Sequence, residues 1–271
     1  MKISLRNAAI VGLVLLALST AGAADAPSDW VLVWSDEFQG NSLDLSKWEY
    51  IEDARGGGNK ELQYYVTNNV VVNDGMLKIE ARKEKYSGPE GTREYTSSRI
   101  RTKGKGDWMQ GRFEVRAKLP QGKGLWPAIW MRPTTQERYG GWPASGEIDI
   151  VELLGHQPKR IHATLHYTDE ANKHISSGHD FVLTTGTFAE SFHVFRLDWG
   201  PTGMRWYVDG KSYHAATKWS SGTKPFPAPF DEKFHLILNV AVGGRWPGNP
   251  NERTEFPQAM LVDYVRVYQR K

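Results

Sequence analysis

Apolar and polar residues alternate with a period of two along most of this chain. In "GRFEVRAKLP", Phe113, Val115, Ala117 and Leu119 alternate with Arg112, Glu114, Arg116 and Lys118, the pattern of a strand with one face buried and the other wet. Similar runs predict strands in "WVLVWSDEF", "SSRIRTK", "RIHATLHY", "FHVFRLDW", "KFHLILNVAV" and "MLVDYVRVYQ". "VVVNDGMLKIEAR" and "MRWYVDGKSYH" each place an Asp-Gly pair, Asp74-Gly75 and Asp209-Gly210, between two runs, which predicts tight hairpins. Stretches rich in Gly and Pro, "PQGKGLWP", "TTQERYGGWPASG" and "GGRWPGNPN", read as connecting loops. Beyond residue 23 there is no amphipathic helix, repeat or low-complexity segment. Many short strands with such turns predict an all-β fold, a single domain of two stacked, curved antiparallel sheets.

One predicted strand breaks the pattern. "SGEIDIVELLG", Ser145 to Gly155, carries Glu147, Asp149 and Glu152 among Ile148, Ile150, Val151, Leu153 and Leu154. Carboxylates are rarely buried without a partner. Glu147 and Asp149 share a face, but Glu152 has the opposite parity, so a regular strand would drive it into the apolar side. A β-bulge within Ile150-Val151 restores the parity and brings all three acids to one surface. Glu147 and Glu152 are then about four strand steps apart, roughly 13 Å between backbones. Two Glu side chains leaning inward over the shorter Asp can approach the roughly 5 Å carboxyl separation of a retaining glycosidase. Asp149 would then share a proton or hydrogen bond with its neighbour and hold the pair's titrations apart. Three acids at this spacing also suit a solvated face or an ion-pair cluster. The apolar flanks argue against a wet strand, and Trp126, Trp130 and Trp142 lie just upstream, as sugar-stacking platforms would.

Lys2 and Arg6 precede the apolar run "AAIVGLVLLAL", and Ala21-Gly22-Ala23 follows, so residues 1–23 read as a secretory signal peptide and residues 24–271 as the exported domain. The run is too short for a comfortable membrane span, and an exported protein, secreted or periplasmic, is expected. Without Lys2 and Arg6 the formal net charge falls from +3 to +1, which removes the argument for nucleic acid. Cysteine is absent, permitted for a chain long enough to bury a core without staples. The 11 Trp, 11 Tyr and 10 Phe exceed what a core alone asks for and suit flat apolar platforms for a ligand.

"GEIDIVE", preceded by "GLWPAIWM" and "GWPAS" and followed by "TLHY", resembles the signature of glycoside hydrolase family 16. Its E-x-D-x-x-E spacing is similar to that of the bacterial laminarinase branch of endo-1,3-β-glucanases, where the lichenase and xyloglucan transglycosylase branches have E-x-D-x-E. Further likeness lies in "WSDEF", "GGGNKELQYY", "TSSRIRTKGK", "LNVAVGGRWPGNP" and "LVDYVRVYQ". The resemblance implies a β-jelly roll with a substrate cleft on its concave face, and retaining hydrolysis with Glu147 as nucleophile, Glu152 as general acid/base and Asp149 assisting. It implies substrate contacts at Asn69, Arg99, Trp126, Trp130, Trp142, His166, Asn239 and Trp246. Aromatic faces stack on pyranose rings, and Arg, Asn and His reach hydroxyls. Several of these residues have plainer uses. Trp126 and Trp130 suit a core, Arg99 a wet strand face, and Asn69 the turn before "VVVNDG". His166 shares a face with Thr164 and His162 opposite Ile161, Ala163 and Leu165, which favours the cleft.

Catalysis needs no cofactor on this reading, and no His or Cys cluster has zinc spacing. The resemblance also implies a structural Ca²⁺ on the convex side, at Glu37, Gly75 and Asp263. Asp263 has the parity of Leu261, Val265 and Val267, so an inward acid asks for a partner, which Ca²⁺ or an Arg would satisfy equally well. The expected partner is a β-glucan polysaccharide, with no nucleic acid, no membrane once the first segment is removed, and a monomeric state. Rival readings are another polysaccharide such as agarose or carrageenan, transglycosylation, or a non-catalytic glucan-binding lectin.

Overall fold

The period-two pattern becomes two large antiparallel sheets packed face to face. The computed structural model describes residues 29–271. The signal segment expected at residues 1–23 lies outside the described residues. In chain order the strands are β1 (Trp30–Asp36), β2 (Glu49–Tyr50), β3 (Gln63–Tyr65), β4 (Val70–Asn73), β5 (Met76–Ala81), β6 (Tyr86–Gly88), β7 (Gly91–Arg93), β8 (Tyr95–Ser97), β9 (Arg99–Arg101) and β10 (Asp107–Trp108). The second half adds β11 (Gly111–Lys118), β12 (Leu125–Pro133), β13 (Glu147–Leu153), β14 (Arg160–Thr168), β15 (His174–Val182), β16 (His193–Gly200), β17 (Gly203–Val208), β18 (Lys211–Ala216), β19 (Phe234–Val242) and β20 (Gln258–Arg270). Among the described residues the helical pieces are two 3₁₀ turns, Gly56–Gly58 and Thr67–Asn69.

The back sheet runs β18-β17-β16-β11-β20-β5-β4, with β1 added on β20. The cleft sheet runs β15-β14-β13-β12-β19-β9-β2, with β10 added on β19. This is the pair of stacked antiparallel sheets that the alternation predicts and the β-jelly roll that the family resemblance implies. Phe113, Val115, Leu197, Val265 and Val267 of the back sheet and Ile129, Met131, Ile148, Leu165, Leu238 and Val240 of the cleft sheet are buried in one core cluster. Each such side chain contributes roughly 1.5–3 kcal/mol by leaving water. The core fixes which face of every cleft strand looks outward, because a one-residue slip would exchange its two faces.

Two long strands are absent from the alternation reading. In β12 the sequence "LWPAIWMRP" contains two prolines and follows the glycine-rich "QGKG", yet it pairs with β19 along its whole length. Its pairing with β13 begins at Ala128, one residue past Pro127, and proline is tolerated where no ladder bond is needed. In β15, "HISSGHDFV" is too polar to alternate, as befits an edge strand of the cleft sheet.

Candidate active site

The bulge expected in "GEIDIVE" is present. On one side β12 pairs Ile129 with Val151 and Trp130 with Asp149, leaving Ile150 as the extra residue. On the other, β14 pairs Asp149 with Thr164 and Glu152 with His162, three steps against two. Glu147, Asp149 and Glu152 therefore all face one cleft of ≈ 750 Å³. The two glutamates stand opposite His166 and His162, four residues apart on β14.

The three carboxyls sit in different surroundings, and this separates their protonation. Burial raises the Glu147 pKa, while Arg132, His166 and the Trp142 indole pull it back. Arg132 Nη1 donates to Glu147 Oε2 at 3.2 Å, and His166 Nε2 lies 3.8 Å from Glu147 Oε1. Burial holds Glu152 well above the usual carboxylate range, and the neighbouring charges of Asp149 and Glu147 add to this. The Trp126 indole N–H, donated to Glu152 Oε1 at 3.0 Å, acts the other way. Asp149, 2% exposed, is also held well above its usual range, by burial and then by Glu147. Its Oδ2 lies 3.3 Å from His166 Nε2. The cation beside Glu147 favours the ionised form, and the sites of Asp149 and Glu152 favour the neutral acid. A carboxylate and a carboxylic acid held apart in protonation are what double displacement at a sugar carbon requires.

Seven of the eight expected substrate contacts, Arg99, Trp126, Trp130, Trp142, His166, Asn239 and Trp246, line the cleft. Trp142, 46% exposed, packs on His166 and His174 beyond the Glu147 end. Trp246, 41% exposed, packs edge-on against Trp126 beyond the Glu152 end. Two open aromatic faces thus bracket the carboxylates. Between them the floor is tied together. Trp130 Nε1 donates to Asn239 Oδ1 at 2.7 Å, and Asn239 Nδ2 donates to the Tyr65 hydroxyl at 3.2 Å. The Arg99 guanidinium lies over the Tyr65 ring at 4.3 Å and 3.8 Å from Glu61.

Asn69 is corrected. It is fully buried, and its Nδ2 donates to the Glu80 carbonyl and to Thr96 Oγ1, both at 3.0 Å. It braces the 3₁₀ turn ahead of β4 and does not line the cleft. Asn69→Ala is expected to cost about 1–3 kcal/mol of stability, several degrees in Tm, with kcat and KM unchanged. Calorimetry and steady-state kinetics on the same preparation check this.

The sequence reading misses Arg132, His174, Glu61 and Asn59, which also line the cleft. Arg132 follows from parity once β12 is accepted as a strand, since Trp126, Ala128, Trp130 and Arg132 share its cleft face. His174 lies on the polar edge strand and pairs its Nε2 with His166 Nδ1 at 2.9 Å.

The reading of Asp263 as an inward acid is also corrected. β20 holds a bulge of its own, since Arg116 pairs with Tyr264 and Ala117 with Val262, leaving Asp263 as the extra residue. The buried set is Met260, Val262, Val265, Val267 and Tyr268, and Asp263 pairs with Arg116 at 2.5 Å. The Glu37 carboxylate is taken by Arg266 through both oxygens, at 2.9 and 2.8 Å. An ion here would therefore rely on main-chain oxygen. The Glu37 carbonyl accepts from Gln39 Nε2 at 3.1 Å, and a Cβ added at Gly75 would meet that same nitrogen at 3.1 Å. Both carboxylates are thus engaged by arginines, and the oxygens left for a hard cation between Glu37 and Gly75 are those of the main chain.

An open β-sandwich cleft with two glutamates flanking an aspartate between aromatic platforms defines a glycoside hydrolase. Residues 58–266 match the model of glycosyl hydrolases family 16, and the chain belongs to that family. It is 43% identical over 281 residues to a beta-glucanase of Rhodothermus marinus, covering 99% of this chain and 96% of that one. It is 40% identical over 265 residues to a glucan endo-1,3-beta-glucosidase of Cryptopygus antarcticus, covering 92% and 96%. The crystal structure of the endo-beta-1,3-glucanase of Pyrococcus furiosus superposes with a TM-score of 0.80 at 43% identity, covering 89% of this chain and 95% of that one.

Proposed function

We propose that this protein is a retaining endo-hydrolase of β-1,3-glucan that also accepts mixed-linkage β-1,3-1,4-glucan. The observation that carries the reading is the bulge at Ile150, which places Glu147 and Glu152 on one cleft face in unlike surroundings. Glu147, ionised beside Arg132, attacks the anomeric carbon while Glu152 donates its proton to the departing glycosidic oxygen. Trp126, donating to Glu152 Oε1, stabilises the carboxylate that forms. In the second step Glu152 takes a proton from water, which releases the sugar from Glu147 with the starting configuration. Asp149, pushed toward its neutral form by burial and by Glu147, can share a proton or hydrogen bond with the nucleophile. Trp142 and Trp246 at the two ends of an open cleft suit internal binding to a long chain.

Reducing-end release from laminarin, lichenan, agarose and xyloglucan tests this, with wild type and Glu147→Gln side by side. Strong release from laminarin that vanishes in the variant supports the reading. Release only from agarose would move the substrate to a galactan, and binding without turnover would make the protein a lectin.

At the corner of Glu37, Gly75 and Asp263 we propose a structural Ca²⁺ with no part in the chemistry. Excess chelator is expected to lower Tm by several degrees, restored by added Ca²⁺; an unchanged Tm removes the ion. Residues 1–23 are proposed to direct export to the periplasm or medium as a monomer, which mass spectrometry starting at Ala24 and light scattering of the exported protein would check.

A further inference from the structure

The catalytic strand is also held from behind. Trp206 on β17, in the back sheet, is fully buried, and its indole Nε1–H donates to the main-chain carbonyl of Asp149 at 3.0 Å. This bond crosses the core from one sheet to the other and lands on the residue directly before the extra residue Ile150. Both of its ends sit at breaks in the ladders. β13 shifts register between Asp149 and Glu152, and β17 shifts against β18 between Trp206 and Tyr207. A bulge disrupts the local ladder, and a carbonyl turned into an apolar core without a donor is costly. His214 covers the ring, centroid to centroid 4.8 Å, so the indole is packed as well as bonded.

We propose that Trp206 is a positioning residue for catalysis: its indole N–H pins the Asp149 carbonyl and so keeps the extra residue of β13 between Asp149 and Glu152. Without the pin the bulge can relax or migrate. Glu147 and Asp149 precede it and keep their face, whereas Glu152 follows it and depends on it for its own. The loss therefore falls on the acid/base. The kinetic consequence rests on the hydrolase reading above; the structural one does not.

Two replacements test this. Trp206→Phe removes the N–H and some bulk, and 3-benzothienylalanine at position 206 keeps the shape while replacing N–H by sulfur. For the analogue kcat on laminarin is expected to fall about 10- to 100-fold, with KM within about twofold. The alkaline limb of its pH profile is expected to move. Amide exchange at Ile150, Val151 and Glu152 is expected to quicken, with exchange in β11 and β16 unchanged. A purely packing role predicts a lower Tm for Trp206→Phe with the analogue at full kcat and an unmoved pH profile, and that result overturns the proposal. If wild type releases no reducing ends from any glucan, the hydrolase reading falls. Exchange in the analogue then decides alone, faster exchange at the bulge supporting the pin and unchanged exchange removing it.

Discussion

Glu147→Gln is expected to leave a folded protein that still binds β-glucan but has lost more than about 10⁴-fold in kcat. The amide keeps the shape of the side chain and can still meet Arg132 and His166, but it cannot form the ester to the anomeric carbon. Binding should survive because the stacking surfaces Trp142 and Trp246 belong to other segments, 46% and 41% exposed. The loss should therefore appear in kcat, with Kd for a glucan oligosaccharide within a few-fold of wild type by calorimetry. Retained turnover would mean that the nucleophile lies elsewhere.

Glu152→Ala should cost about 10²- to 10⁴-fold in kcat on laminarin, and the loss should depend on the leaving group. An aryl glucoside oligomer with an acidic phenol departs without a proton donor, so its first step should be largely spared. The second step then lacks its base, and the glycosyl-enzyme should accumulate. Azide, an anion needing no base, should restore turnover and yield the β-glycosyl azide, identified by NMR and mass spectrometry. The pH profile should change with a definite sign. Glu152 must be protonated to act first, and burial lifts its pKa well above the usual range, so wild-type activity persists past the ordinary carboxylate range and is lost as pH rises through that raised value. On the acidic side activity is lost as Glu147 gains a proton. In Glu152→Ala the alkaline limb should disappear and the acidic limb remain.

The part of this arrangement legible in the sequence is the part in which parity conflicts with burial. Glu152 on the wrong face of a strand in an apolar run costs too much to be left there, so a bulge follows from the residues alone, and the structure places it at Ile150. The same logic applies to Asp263 and leads astray when the strand is taken as unbroken. There the acid itself is the extra residue, half-exposed and paired with Arg116. Arg132 is hidden because Pro127 makes β12 read as a loop, and no side-chain parity can be assigned to a loop. His174 is hidden because an edge strand facing water has no apolar alternation to betray it. Asn69 shows a different limit. An asparagine ahead of a strand reads equally as turn chemistry or ligand contact, and the distinction lies in Glu80 and Thr96, which only the fold brings to it.

The bulged strand brings Glu147 and Glu152 to one cleft face, where a nucleophile and an acid/base of a retaining enzyme would stand. Proton NMR of the first-formed reducing ends, recorded on a laminarin oligosaccharide before mutarotation, tests it most directly. β-Anomer is expected first, with α-anomer appearing only as mutarotation proceeds. Initial α-anomer would mean that water attacks the sugar directly across a wider gap, and that Glu147 is a base and not a nucleophile.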